Sequence, residues 1–140
     1  MRLVFFLAAM LGLVSSCSPS APIKETHQVL PLDGSAWDVV VTPDEAAAKK
    51  GEKVFKDTLL FDDGRATMTT CLKYGFTASP YSAAKLGQKW SLKTRQVSPQ
   101  QGSSNWDAEI DGDVIKGTMI CRKNDGTALN YTFVGKKSGG

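Results

Sequence analysis

The side chains best suited to chemistry are three cysteines, Cys17, Cys71 and Cys121, and a single histidine, His27. A thiol acts through a partner: a second thiol, a metal-ligand cluster or an activating base. His27 lies among prolines with no clustered cysteine, histidine or carboxylate, so it lacks the spacing of a metal site. There is no Ser-His-Asp set, Cys-His pair or phosphate-cradling glycine loop, and Asp62-Asp63 reads as turn chemistry. These residue types predict no catalytic centre, no metal and no cofactor. Asp57 stands apart, because it falls in register with Phe55, Leu59 and Phe61 on an apolar face. A carboxylate there must be paired or driven toward its neutral form, since desolvating charge is expensive. It reads either as a polar anchor inside a ligand cavity or, more commonly for such a residue, as a structural partner for a nearby cation or backbone group.

The elements that must position these groups are strands. Residues 53–61 and 65–73 alternate apolar and polar side chains around Asp62-Asp63-Gly64, a strong hairpin signal. The same alternation recurs at 35–42, 89–97, 105–111, 114–123 and 127–135, punctuated by Gly, Asp, Asn and Pro. An alanine-rich piece, 44–51, is long enough for one or two helical turns, and 75–88 reads as a longer connection. Short links favour a meander of about seven strands, each pairing with the next. Curling that sheet buries its apolar face and removes exposed edges. The prediction is an all-β barrel or half-barrel, with a two-sheet sandwich as the alternative. Gly117, in mid-strand, suits a bend or bulge.

Within such a barrel, Trp37, Phe55, Phe61, Trp90, Trp106, Tyr131 and Phe133 form an aromatic inner face. A barrel of about eight strands is either filled by such side chains or holds one small ligand. These seven, with Asp57 and with Phe76 and Tyr81 on a lid formed by 75–88, are the ligand-cavity candidates. Alternation turns Cys121 inward with Ile115 and Met119 but Cys71 outward with Thr67 and Thr69. Their strands lie three apart in the meander, roughly 14 Å along a sheet. A Cys71–Cys121 disulfide therefore needs a bulge and facing walls brought together, while an oxidising compartment would favour it. Both states stay open.

At the N-terminus, Met1-Arg2 precedes an apolar run, 3–14, about a dozen residues long: short for a membrane span and right for a signal-peptide core. The run ends in Val14-Ser15-Ser16-Cys17, which resembles the lipobox of bacterial lipoproteins. That resemblance implies cleavage before Cys17, a diacylglycerol on its sulfur and attachment to the cell envelope. Ser18, rather than Asp, implies outer-membrane attachment facing the periplasm. The expected organisation is a signal peptide (1–16), a lipidated tether broken by Pro19, Pro22 and Pro31 (17–33), a barrel domain (34–136) and a disordered tail (137–140). The formal net charge of +3, or +2 without Arg2, is spread among interleaved acids and lysines, so no nucleic-acid stripe forms.

Gly34 to Trp37 resembles the opening of the lipocalin/calycin group. The wider pattern is similar to small exported bacterial proteins with a lipocalin-like domain. It comprises Trp37, then Phe55, Asp57, Leu59 and Phe61 before Asp63-Gly64, then Gly75-Phe76 and Tyr81. It continues with Gly102 to Trp106, Gly112-Asp113 to Gly117, and Tyr131, Phe133 and Gly135. The resemblance implies a lipid-anchored envelope protein that holds a small apolar or amphipathic ligand. The alternative is a filled barrel that contacts or supports another envelope component without catalysis.

Overall fold

The computed structural model describes residues 31–139. The signal segment, Cys17, His27 and most of the tether lie outside them. Eight strands form one closed antiparallel barrel in sequence order: β1 (Ser35–Pro43), β2 (Phe55–Asp62), β3 (Arg65–Met68), β4 (Ser79–Leu86), β5 (Lys89–Ser98), β6 (Gly102–Asp111), β7 (Val114–Arg122) and β8 (Ala128–Lys137). β8 pairs back onto β1, with Val41 opposite Phe133, so no edge is left. Inward positions alternate as expected, with Trp37, Val39, Val41, Leu59, Phe61, Ile115 and Phe133 all buried. Asp63 and Gly64 both take positive φ (49° and 69°), the geometry whose twist matches a two-residue hairpin.

Several expectations are corrected. The return strand expected over 65–73 stops at Met68, and Thr69–Tyr74 forms a 3₁₀ helix instead. The inward Asp57 is responsible: its Oδ1 accepts from Thr69 Oγ1 at 2.7 Å and from the Thr70 amide at 3.0 Å, drawing the chain off the sheet. The segment 75–88 is not a lid, since β4 occupies most of it as barrel wall and brings the strands to eight rather than seven. The domain also starts earlier than Gly34. Leu32 is buried in the core, and Asp33 accepts from the Gly64 amide and from Tyr81 Oη at 2.8 Å. At the other end Lys137 belongs to β8, not to a tail.

The short helix α1 (Glu45–Lys49) joins β1 to β2, capped by Asp44, whose Oδ1 accepts from the Ala47 amide at 2.7 Å. Gly117 and Gly135 lie where strands approach closely. A Cβ on Gly117 would come within 2.5 Å of the Asp107 carbonyl oxygen, and one on Gly135 would strike that of Asp38.

Candidate functional site: the barrel mouth

The barrel has one plugged end and one open end, and side-chain chemistry separates them. At the plugged end Leu32 packs under Trp37, Phe61 and Tyr81, with the Phe61 and Tyr81 rings edge to face at 5.1 Å. Burial and the Asp33 carboxylate push the Tyr81 phenol well above its ordinary range. Midway, Trp106 and Phe133 stack edge to face at 6.4 Å, and Trp106 Nε1 donates to Ser104 Oγ at 2.9 Å. Aromatic rings fill these levels.

The open end carries a cavity of about 460 Å³. Met119 and Leu129 contribute its apolar floor, while Phe55, Phe76 and Tyr131 supply aromatic walls. Phe55 and Tyr131 meet edge to face at 6.4 Å. Glu52, Lys73 and Lys123 add charge to the lining. Burial and a hydrogen bond with Glu52 raise the Tyr131 phenol far above its usual range. Lys73 Nζ sits 5.0 Å from the centre of the Tyr74 ring.

The 3₁₀ helix reaches this cavity because β5 holds it there. Inward positions on β5 change from apolar to polar: Leu92, then Thr94, Gln96 and Ser98, all buried. Their targets are carbonyls on and between β3 and β4, strands that pair with each other only at Arg65–Pro80 and Ala66–Ser79. Thr94 Oγ1 donates to the Pro80 carbonyl at 2.9 Å. Gln96 Nε2 donates to those of Ala66 (3.3 Å) and Thr77 (3.1 Å), and Ser98 Oγ to that of Tyr74 (2.7 Å). Gly75 ends the helix at φ 82°, and a Cβ there would press on Ser98 Oγ at 3.1 Å.

Of the ten expected cavity residues, the structure brings Phe55, Phe76 and Tyr131 to the mouth. Trp37, Phe61 and Tyr81 fill the plugged end instead, and Trp106 and Phe133 fill the middle. Trp90 is half-buried with Lys85 Nζ 5.9 Å from its ring centre, beside the turn that joins β4 to β5 and away from the mouth. Asp57 is a structural partner for backbone groups: it caps the 3₁₀ helix and does not line the cavity. Its Oδ2 has no hydrogen-bond partner among the described residues.

Cys71 is corrected from an outward strand position to the cavity lining, on the 3₁₀ helix, and Cys121 lines the same cavity from β7. Both thiols are free and half-buried. Burial, helped by the Asp57 charge and Cys121, pushes the Cys71 thiol up to about 12, and burial also raises Cys121. Both therefore stay protonated at neutral pH. Sequence reasoning missed Met119 and Leu129 as floor residues, although both fall on inward positions of their strands. What it lacked was knowledge of which end stays open.

No protein-family model, no curated protein and no solved structure matches the chain.

Proposed function

We propose that the chain is a lipid-anchored, lipocalin-like envelope protein that binds one small apolar or amphipathic molecule in the barrel mouth, without catalysis. The observation that carries this reading is the contrast between the two ends. Rings fill the plugged end and the middle, whereas the mouth keeps about 460 Å³ lined by Phe55, Phe76, Tyr131, Met119 and Leu129. That volume falls within the roughly 300–1,000 Å³ of small-molecule sites, and an apolar lining with a few polar groups is their usual character. Lys73, Lys123 and Glu52 in the same lining give a polar head somewhere to go. Anchoring rests on Val14-Ser15-Ser16-Cys17. A lipidated Cys17 would connect to the domain through Leu32 and Asp33, which enter the fold at the plugged end.

A second reading has one observation in its favour. Val40 and Val134 form an outward cross-strand pair, 38% and 54% exposed, which suits a patch that meets another envelope component.

The test is native mass spectrometry and lipid extraction of the chain purified from the membrane fraction of its own host. An amphiphile in about one-to-one ratio, lost in Leu129→Arg, is the expected result. Reproducibly empty protein favours the second reading, and a soluble chain with unmodified Cys17 sinks the anchor.

A further inference from the structure

We propose that Cys71 and Cys121 form a reversible disulfide that latches the 3₁₀ helix across the barrel mouth. The topology supplies the reason. β3 and β7 stand four places apart in a closed ring of eight, so they occupy facing walls rather than distant positions on an open sheet. The chain leaves β3 at Met68 and enters the 3₁₀ helix, which puts Cys71 on the lining of the mouth. Cys121 holds the last inward position on β7, two residues beyond the buried Met119 and with Sγ 3.8 Å from Ser104 Oγ. Both side chains border one cavity, and a negative charge on Cys121 is felt at Cys71. The proposal needs no bound ligand and stands whether or not the mouth holds one.

The chemistry requires a disulfide-bearing oxidant, for which oxidised glutathione is the probe. One protein thiol loses its proton and its sulfur attacks the glutathione disulfide, releasing one glutathione thiolate and leaving a mixed disulfide. The second protein thiol, likewise deprotonated, attacks the protein sulfur of that mixed disulfide and releases the second glutathione. One disulfide is consumed and one formed. Two electrons pass to glutathione, and the two protons end on its two thiols. Raised thiol pKa values make both steps slow near neutrality and faster as pH rises.

The experiment treats the reduced full chain with oxidised glutathione at pH 8.5, followed by peptide mapping and urea unfolding. Expected is a peptide pair joining Cys71 to Cys121 within one molecule, reversed by dithiothreitol and absent in Cys71→Ser and Cys121→Ser. Closing a loop of about fifty residues should also lower the unfolding constant by about a thousand-fold. Glutathione adducts that persist on both cysteines, bridges only between molecules, or a bridge whose unfolding constant dithiothreitol does not change would each overturn the latch.

Discussion

Asp57 shows how one side chain can redirect a strand. Its Oδ1 accepts from the Thr58 amide, Thr69 Oγ1 and the Thr70 amide, so the carboxylate works as a cap for the turn over the mouth. Because Oδ2 has no donor among the described residues, Asn can keep the three bonds while Ala cannot. Asp57→Ala should therefore cost about 1–3 kcal/mol by urea unfolding, and Asp57→Asn well under half of that. The two variants also separate cap from charge. The Asp57 charge raises Cys71, so Asp57→Asn should lower the Cys71 pKa and speed its alkylation by iodoacetamide at pH 8. Linkage has a definite sign here. A thiol raised in the folded state binds its proton more tightly there, so stability is full below the unfolded pKa of about 8.5 and falls as pH climbs toward 12. In reductant, Cys71→Ser should flatten that decline between pH 9 and 11. An equal alkylation rate in Asp57→Asn would show that burial alone governs the thiol.

At the level of elements, the weak place in the wall is the β3–β4 seam, and β5 compensates for it from inside. Gln96 is fully buried and ties Ala66 on β3 to Thr77 just before β4. Gln96→Met keeps the volume but removes the donor to the buried Ala66 carbonyl and the tie to Thr77, whose carbonyl keeps Ser79 Oγ, at a cost of about 1–3 kcal/mol. Hydrogen exchange should then quicken in β3, β4 and the 3₁₀ helix, while β6 to β8 stay protected. Uniform acceleration around the barrel would mean that the seam is not a separate unit. The seam also explains what the sequence hid. Alternation alone revealed seven of the eight strand positions, because each such strand repeats apolar residues at period two. β4 carries little of that signal, because its inward residues are Ser79, Tyr81 and Ala83, only one of them large. The break in β3 was invisible because Thr69 and Cys71 continue the strand pattern, and it depends on a contact with Asp57 twelve residues away.

For the whole molecule, the sequence made the inward face legible but not the distribution of space along the axis. Trp37, Phe61, Trp106 and Phe133 are inward as their register requires, yet only the closed ring determines that they stack below the mouth. The plug was equally hidden, since Leu32 and Asp33 look like the end of a proline-broken tether until Gly64 and Tyr81 meet them. This separation of ends makes stability and binding independently adjustable. Tyr81→Phe removes the hydrogen bond to Asp33, a charge-assisted bond, and should cost about 1.5–3 kcal/mol of stability. It should leave the affinity of an apolar fluorescent probe for the mouth unchanged. Phe55→Ala removes an aromatic wall and should weaken that probe several-fold. Distant sites without shared partners add within about 0.5 kcal/mol, so the double variant should show the sum of the two effects in both assays. A Tyr81→Phe protein that loses probe affinity along with stability would mean that the plug and the mouth move as one body, and the mouth would then be open only by leave of the closed end.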